Sequence, residues 1–420
     1  MKVNFVYSDL NPCGGAEKLS LITMQSFIEL GINIDLTSLE FPDSRRIQNA
    51  FGKELASVLE SIREIHILDT FNERSIEKNI LNDYKLVFNS HGDIDPYYHK
   101  SRNKFNTITY CHYPTAKFLI KSRDEEYLDR YLKISRFERS GDNDIESITI
   151  PRSNNQISLL QINNNKYLQW LEQTYDNMLM NSSLVTNSQY SHNQITKTLG
   201  ISDTMVIYPP VDVDKFRDMS LIPSLNKGMK ENDIVVICRI DPAKKVENVI
   251  FLAQKLREAG VNLKITIIGN LDPYHYYYYK ELKKTIIDQN LDDRIFFKTD
   301  ASLEDLFDIL SKSGIIFHPK PGEHFGISIV EAMSAGLVPV VPSVGGPTEF
   351  VPIENQYDSI ETAVKIIQKS QDIKDIERIR TSNSVRQFST QCYKAKIKKL
   401  VLDLLNGIDS TSLGIYQNLT

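Results

Sequence analysis

The chain has 420 residues, of which 41% are hydrophobic and 25% are charged, with 18 glycines and 16 prolines. This composition excludes a collagen-like fibre, a disulfide-rich scaffold and an extended disordered chain, and the length predicts two domains of about 200 residues each. The formal net charge of −5 comes from 49 basic and 54 acidic residues, so there is no basic excess of the kind that binds nucleic acid.

The cysteines and the N-terminal sequence both favour a cytoplasmic protein. Cys13, Cys111, Cys238 and Cys392 lie far apart and form no C-x-x-C pair, which indicates a reducing compartment and no zinc knuckle. The first apolar run is too short for a signal peptide. No run approaches the ~18 apolar residues that a membrane-spanning helix needs. We therefore expect a cytoplasmic protein without a nucleic-acid partner.

Short strand-like runs alternate with helix-length segments along the chain. In the first half these runs are Val3–Tyr7, Ile34–Leu39, Glu64–Leu68, Leu86–Ser90, Thr107–His112, Leu184–Asn187 and Val206–Tyr208. In the second half they are Ile234–Ile240, Lys264–Gly269, Ile295–Lys298, Ile315–His318 and Val338–Pro342. Such alternation is typical of parallel sheets covered by helices on both faces.

The segment Tyr208-Pro209-Pro210 predicts an extended connector, since two prolines exclude a helix there. We place the domain boundary at this point. The predicted fold is α/β, with two Rossmann-like, doubly wound parallel-sheet domains at 1–210 and 211–385 that face each other across a ligand cleft. The final segment, 386–420, is predicted to contain a helix that packs back on the N-terminal domain.

Two features of the first half are candidates for ligand binding. Gly14 and Gly15 form a turn between the first strand and the first helix, but match neither G-x-G-x-x-G nor the P-loop, so nicotinamide binding and P-loop chemistry are disfavoured. The pair either approaches a phosphate or allows tight packing. His112 follows an apolar strand and precedes Pro114, which suits either a ligand contact at the strand's carboxyl end or a core histidine.

The segment from Lys117 to Arg139 carries basic residues interleaved with aromatic and aliphatic ones. Such a mixture can adhere to anionic headgroups, so it is the candidate for peripheral membrane contact. Acidic residues dilute its charge, and a partly buried helix is the alternative reading.

A pair of cations follows the first strand of the second half. Arg239 lies at the carboxyl end of that strand, and Lys244 is expected to open the next helix after a Pro turn. A guanidinium fork and a point charge aimed at one place suit a diphosphate. Taken alone, the two residues would be equally consistent with surface salt bridges.

The most informative stretch runs from Pro319 to Gly336. It predicts a Pro-Gly turn after a buried strand, then a helix from about Ile327 that stops at Gly336. The start of that helix, with Gly326 before it, predicts an anion site. Glu323 precedes the helix and Glu331 lies inside it, so they can touch different parts of one extended ligand.

Taken in chain order, these motifs resemble those of glycosyltransferase family 4 (group 1). The members of this family are retaining enzymes that use a sugar nucleotide as donor and have the GT-B fold. Glu323 and Glu331 match the family's E-x7-E motif, and Arg239 and Lys244 match its Arg–Lys pair. The sequences Tyr110-Cys-His-Tyr-Pro-Thr115 and Glu323-His-Phe-Gly-Ile327 are most similar to those of the GDP-mannose-dependent α-1,2-mannosyltransferases of lipid-linked oligosaccharide assembly. Two departures are Cys238, where the family usually has Gly, and Lys245, where it often has Gly.

The resemblance assigns roles to the second half by position. Arg239 and Lys244 would neutralise the donor diphosphate, Glu323 would contact a hydroxyl of the transferred sugar, and Glu331 would bind the ribose. Backbone N–H groups at Phe325, Gly326 and Ile327 would face the sugar and phosphate. The base would lie near Phe297 and Thr299.

In the first half, the resemblance implies that His112 contacts the sugar. It also implies that Gly14 and Gly15, which lack side chains, leave space for the phosphate and the acceptor. It further implies a nucleotide-sugar donor, with GDP-mannose favoured, no cofactor and no metal ion, because Arg239 and Lys244 supply the positive charge. The acceptor would be a glycan or a polyprenyl- or dolichyl-linked glycan, with peripheral contact on the cytoplasmic membrane face. The alternative hypothesis is a catalytically silent nucleotide-sugar-binding subunit of a larger complex.

Overall fold

The computed structural model describes residues 2–67, 84–90, 92, 106–124, 165–227, 233–271, 273–371 and 373–406. The chain divides into two compact units. Unit 1 comprises the described residues among 1–187, 191–207 and 394–419, and unit 2 comprises those among 188–190 and 208–393.

Unit 1 is built on a seven-stranded parallel sheet with the order β3-β2-β1-β4-β5-β6-β7. The strands are β1 (Lys2–Val6), β2 (Asn33–Ser38), β3 (Glu64–Ile67), β4 (Leu86–Asn89), β5 (Asn106–Tyr110), β6 (Ser183–Thr186) and β7 (Met205–Val206). The order runs outward in both directions from β1, which is the doubly wound topology that places ligands at the carboxyl ends of the strands.

The helices between these strands are α1 (Gly15–Glu29), α2 (Ser44–Phe51), α3 (Lys53–Ala56), α4 (Thr115–Ser122), α5 (Asn165–Met180) and α6 (Gln189–Leu199). α1 packs on the sheet through Phe27, whose ring meets that of Phe88 at 5.4 Å between centroids, while Phe88 stacks on Phe5 at 5.2 Å. These three rings are fully buried, so they fix α1 on β1 and β4 and set its N-terminus at the end of β1.

Unit 2 is built on a six-stranded parallel sheet with the order β10-β9-β8-β11-β12-β13. Its strands are β8 (Asp233–Ile237), β9 (Ile265–Gly269), β10 (Ile295–Thr299), β11 (Ser313–Phe317), β12 (Val338–Pro342) and β13 (Gln356–Tyr357). The helices that follow α6 along the chain are α7 (Val213–Phe216), α8 (Ile222–Lys227), α9 (Glu247–Glu258), α10 (Tyr276–Asp288), α11 (Leu303–Lys312), α12 (Ile327–Ser334), α13 (Ile360–Lys369), α14 (Asp375–Ser384) and α15 (Thr390–Leu405).

The predicted α/β fold with two Rossmann-like parallel sheets is confirmed. Each of the strand-like runs overlaps a strand of the structure, and β13 is the addition that the pattern missed, because two residues are too few for a periodicity. Two expectations about local positions were wrong. Arg239 lies beyond the end of β8 at Ile237, and Lys244 closes a 3-10 turn (Pro242–Lys244) instead of opening α9.

The last described helix, α15, belongs to unit 1 from Lys394 onward. Lys394 Nζ lies 2.7 Å from Glu29 Oε1, and Lys398 Nζ lies 2.5 Å from Glu29 Oε2. These contacts hold α15 at the last residue of α1, and they lower the pKa of the Glu29 carboxyl even though its partial burial acts to raise that pKa.

The basic segment that begins at Lys117 is only partly described. Lys117 itself is buried in α4, and its Nζ lies 2.7 Å from Glu172 Oε1 and 2.5 Å from Asp176 Oδ2 on α5. Two carboxylates of a neighbouring helix hold this lysine, as expected for the alternative of a partly buried helix. Residues 125–139 lie outside the described residues. Within the described ranges, no helix has the length and apolar character needed to cross a bilayer.

Candidate functional site

The loop that carries Glu323 is held in place by a second, glycine-containing loop of unit 2. The Gly346 N–H donates to the Glu323 carbonyl at 2.7 Å, and the Gly322 N–H donates to the Val344 carbonyl at 2.8 Å. A Cβ at Gly346 would lie 2.0 Å from the His324 carbonyl oxygen, so no other residue fits there without moving backbone. The Gly345-Gly346 sequence thus serves to bring the two loops into contact.

Glu323 is a mostly buried carboxylate with two nitrogen partners on one oxygen. Its Oε2 lies 2.8 Å from Lys244 Nζ and 3.5 Å from His318 Nε2, and its side chain is 16% exposed. Burial acts to raise the pKa of the Glu323 carboxyl, but the interactions with His318 and Lys244 outweigh it and hold that pKa well below its usual range. Glu323 is therefore ionised at neutral pH.

The turn after β8 directs Lys244 toward Glu323. Asp241 caps this turn by accepting the Lys244 N–H at 3.0 Å on Oδ1, and its Oδ2 lies 3.5 Å from Arg239 Nε. The Arg239 side chain is 74% exposed. Lys245 adopts a left-handed φ of 55°, which accounts for the preference for glycine at this place, because a β-carbon is disfavoured in that conformation. The Asn248 side chain donates to the Pro319 carbonyl at 2.9 Å and ties α9 to the Glu323 loop.

The backbone at Cys238 packs closely against the end of β9, at Gly269. A Cβ at Gly269 would lie 1.7 Å from the Cys238 carbonyl oxygen, so Gly269 is the residue that makes room. Burial raises the pKa of the Cys238 thiol to about 12, which keeps it protonated and unreactive.

α12 begins beside Glu323 and is anchored by aromatic packing. Gly326 precedes it with a left-handed φ of 95°, and the ring of Phe325 is buried against Tyr208 at 5.7 Å and Phe388 at 5.2 Å between centroids. The Ser328 hydroxyl donates to the Ile237 carbonyl at 3.2 Å, which joins the first turn of α12 to the end of β8. The partial positive charge of this helix start therefore lies at the same sheet edge as the turn that carries Lys244.

Four more predicted residues of unit 2 can be placed relative to this edge. Ile327 is the first residue of α12, and Glu331 is half-buried on the same helix. Thr299 ends β10, while the Phe297 ring packs edge-on against Tyr279 at 5.0 Å between centroids. Because β9 separates β10 from β8, Thr299 lies about two strand spacings, roughly 10 Å, from β8. That separation suits an extended ligand.

The other three predicted residues belong to unit 1. Gly14 and Gly15 lie at the start of α1 as expected, but the Gly14 N–H donates to Glu17 Oε2 at 2.5 Å. The Glu17 carboxylate, which also accepts from the Tyr7 hydroxyl at 2.6 Å, thus lies where the sequence predicts room for a phosphate. His112 lies past the end of β5, half-buried, with its ring 4.8 Å from that of Tyr110.

One group of side chains in the described ranges has metal-ligand spacing. Asp35, Glu64 and His66 place their ligand atoms within 4.8 Å of one another. However, Asp35 Oδ2 lies 2.8 Å from Lys2 Nζ and accepts the Tyr84 hydroxyl at 2.7 Å, so protein groups already compensate its charge.

A second feature with metal-motif spacing is the sequence Asp212-Val213-Asp214. Asp212 Oδ1 accepts the Thr390 hydroxyl at 2.9 Å, and Asp214 Oδ1 lies 2.8 Å from Arg217 Nη1. Both carboxylates therefore serve contacts within unit 2.

Comparison with known proteins identifies this part of the chain. Residues 220–374 match the family model described as glycosyl transferases group 1. The match contains Arg239, Lys244, Glu323 and Glu331, so the resemblance to this class of enzyme is confirmed for the segment that carries the motifs.

Curated relatives and solved structures agree with this assignment. The chain is 29% identical to the GDP-Man:Man(3)GlcNAc(2)-PP-Dol alpha-1,2-mannosyltransferase of Dictyostelium discoideum over 36% of this chain and 31% of that protein. It is 27% identical to the human protein of the same name over 50% of this chain and 46% of that protein. The chain thus spans about a third to a half of the length of the curated relatives it matches.

Two solved structures share the fold. Anabaena HepE in complex with UDP has a TM-score of 0.64 at 17% identity, covering 96% of this chain and 100% of that one. Sucrose-phosphate synthase from Thermosynechococcus elongatus has a TM-score of 0.65 at 13% identity, covering 97% of this chain and 100% of that one. At these identities the likeness concerns the fold, which is GT-B.

Two residues of unit 2, His318 and Glu349, are not predicted by the sequence as part of the site. His318 follows a buried strand, and a polar residue at the carboxyl end of such a strand is a signal that could have marked it. Glu349 accepts the N–H groups of Gln189 and Tyr190 at 3.0 and 2.7 Å and the Tyr208 hydroxyl at 3.0 Å. Its position after the Gly345-Gly346 turn gave no sign of these partners, which come from distant parts of the sequence.

The arrangement in unit 2 is chemically suited to an anion beside a fixed carboxylate. Arg239, Lys244 and the start of α12 supply positive charge, and Glu323 supplies a hydrogen-bond acceptor that stays ionised. A well-placed donor to a developing anion contributes roughly 3–4 kcal/mol to transition-state stabilisation.

Proposed function

We propose that this chain is a retaining glycosyltransferase of family 4 that transfers mannose from GDP-mannose to a glycan or lipid-linked glycan without requiring a metal ion. The observation that carries the proposal is the contact of Lys244 with Glu323 beside the start of α12, which combines a diphosphate-binding cation with a sugar-binding carboxylate. The names of the curated relatives support GDP-mannose as the donor and a dolichyl-linked glycan as the acceptor.

In this proposal the leaving diphosphate is stabilised by charge that is in place before the reaction. Arg239 presents an exposed guanidinium fork and Lys244 a mobile ammonium group, and both can approach two oxygens of a diphosphate. As the bond between sugar and phosphate breaks, negative charge grows on the phosphate oxygens, so these contacts strengthen in the transition state. They take the role that a divalent cation plays in other transferases.

Glu323 orients the sugar in this proposal and does not attack it. Lys244 and His318 share its Oε2, and its depressed pKa makes it a weak base. Such a carboxylate is suited to accept a hydrogen bond from a sugar hydroxyl. We therefore favour attack of the acceptor on the same face from which the diphosphate leaves, within a short-lived ion pair, which retains the anomeric configuration.

We place the reaction at the cytoplasmic face of a membrane, with the protein bound peripherally, because a polyprenyl- or dolichyl-linked acceptor is held there by its lipid. Lys117 is buried in unit 1, so it is not one of the residues that make this contact.

The test is a transfer assay with the full chain, a short-chain lipid-linked trimannosyl chitobiose acceptor, and GDP-mannose, UDP-glucose or ADP-glucose as donor. We expect GDP release and a mannosylated product from GDP-mannose, unaffected by EDTA, with the α-configuration seen by NMR. Binding of GDP-mannose without any transfer would instead favour the catalytically silent subunit. An inverted product, or a trapped mannosyl-enzyme, would contradict the proposed stereochemical course.

A further inference from the structure

We propose that Lys244 is shared between Glu323 and the donor diphosphate, and that His318 binds a proton and becomes the partner of Glu323 when the diphosphate draws Lys244 away. This inference rests on the proposed function, since it requires a diphosphate at Lys244. It makes His318 a positioning residue that acts through Glu323.

The first argument is that both nitrogens compete for one oxygen. Lys244 Nζ lies 2.8 Å from Glu323 Oε2, a full hydrogen bond, whereas His318 Nε2 lies 3.5 Å from the same atom, longer than a normal one. Among the described residues, His318 Nε2 has no hydrogen-bond partner, although its side chain is only 5% exposed. His318 Nε2 thus lies beside Glu323 Oε2 at a distance that can shorten to a normal hydrogen bond.

The second argument is that only one of the two partners can move. The His318 N–H donates to the Val340 carbonyl at 3.0 Å, and its own carbonyl accepts the Tyr357 hydroxyl at 2.7 Å. The backbone that carries the imidazole is therefore fixed in the sheet, and the side chain is only 5% exposed. Lys244 has a four-carbon stem and a side chain that is 21% exposed, so its ammonium group can swing from Glu323 to a phosphate oxygen.

The third argument is electrostatic. A carboxylate this buried is costly to leave without a partner, because desolvation penalises its charge. If Lys244 turns to the diphosphate, the negative charge of Glu323 favours a protonated imidazole next to it. The proton comes from solvent and binds to His318 Nε2, which then donates to Glu323 Oε2, so the local charge is balanced before and after binding.

Three titratable side chains near the Glu323–His318 pair have displaced pKa values. Burial lowers the pKa of His324 to about 4, so it stays neutral, and burial raises the pKa of the Cys238 thiol to about 12 and that of the Tyr357 hydroxyl. Charged side chains on the same loop and on the turn after β8 include Lys320, Lys244, Arg239 and Asp241. Histidine is the side-chain type whose charge changes most readily near neutral pH, which makes His318 the residue to test.

The consequence is a measurable proton uptake on donor binding. GDP-mannose itself has no group that titrates near neutral pH, so a linked proton must come to the protein. Since the complex holds more protons than the free protein, donor affinity should rise as the pH falls between about 8 and 6, approaching tenfold per pH unit where uptake approaches one proton.

The experiment is calorimetric titration of the full chain with GDP-mannose at pH 7 in two buffers that differ in ionisation enthalpy. We expect net proton uptake by the wild-type protein, and none by His318→Gln, which cannot be protonated. Lys244→Ala should also show none, since Glu323 there lacks its lysine before the donor arrives. Lys245→Ala is the matched control, because its side chain is exposed and pairs with Glu247, and it should retain the uptake.

The outcomes separate this inference from the function on which it rests. Binding of GDP-mannose to the wild-type protein without proton uptake, or with equal uptake by His318→Gln, overturns the role of His318 alone. No binding of GDP-mannose, UDP-glucose or ADP-glucose by the wild-type protein contradicts the proposed function itself. Absence of proton uptake in the wild-type protein overturns the role of His318 even if a variant does not fold.

Discussion

Two helices of the molecule begin in the same way and end up with different chemistry. Both α1 in unit 1 and α12 in unit 2 follow a buried strand and a glycine, and the sequence predicts an anion near each start. At α1, the chain's own Glu17 accepts the Gly14 N–H and lies where the anion was expected. At α12, the neighbouring Glu323 is held on Oε2 by Lys244.

The difference shows that a glycine turn before a helix does not by itself make an anion site. The direction of the nearest carboxylate decides, and that direction depends on its partners. Glu17 follows Gly14 within one helical turn and caps its own helix, while Glu323 is drawn toward a lysine from another loop. The cation that orients Glu323 is also the group that can bind a phosphate.

The largest expected effect separates the two glutamates in catalysis. Glu323→Gln keeps the shape but removes the charge, so its hydrogen bond to a sugar hydroxyl loses roughly 1.5–3 kcal/mol, and the rate of GDP release from GDP-mannose should fall about 10- to 100-fold. Glu17→Gln should change this rate by less than about threefold, well under 1 kcal/mol. Equal losses in both variants would mean that the start of α1 takes part in the reaction.

Alanine substitutions of Gly326 and Gly14 should lower the free energy of unfolding by different amounts. Gly326 has a φ of 95°, and an added Cβ would lie 2.7 Å from Ile329 Cδ1, so Gly326→Ala should destabilise the protein by about 2 kcal/mol. Gly14 has an extended φ of −94°, and its Cβ would meet only the end of the Glu17 side chain, so Gly14→Ala should cost less than about 1 kcal/mol. Urea unfolding of both variants measures this contrast, and similar costs would refute it.

The charge of Glu323 should also be visible in acid. Because its folded pKa is depressed, its ion pair stabilises the folded protein above the usual glutamate pKa of about 4.5, and this contribution is lost as the pH falls through the lower folded value. The stability of the wild-type protein should therefore fall more steeply below about pH 4.5 than that of Glu323→Gln. Urea unfolding at several pH values tests the slope, and parallel curves would show that the pair contributes nothing.

The smallest effect concerns the cap of α1. Glu17→Ala removes the acceptor of the Gly14 N–H and of the Tyr7 hydroxyl, and should cost about 1 kcal/mol. A loss of more than about 3 kcal/mol would show that Glu17 does more than cap the helix.

The sequence predicted most of the fold because apolar strands and their spacing are local signals. The spacing of Glu323 and Glu331 around Gly326 placed the loop and helix of the site correctly for the same reason. The features that the sequence did not predict depend on contacts between residues that are distant along the chain. The burial of Lys117 requires α5, the role of His318 requires the folded Glu323 loop, and the contacts of Glu349 require residues near 190.

The central claim is that the cation beside Glu323 binds the donor diphosphate, and adjacent lysines allow a direct test. Titration of GDP-mannose into Lys244→Ala and Lys245→Ala compares a lysine bound to Glu323 with an exposed neighbour on the same turn. Loss of a charged hydrogen bond predicts about 10- to 100-fold weaker binding for Lys244→Ala, and a change within about twofold is expected for Lys245→Ala. Unchanged binding by Lys244→Ala would contradict the account.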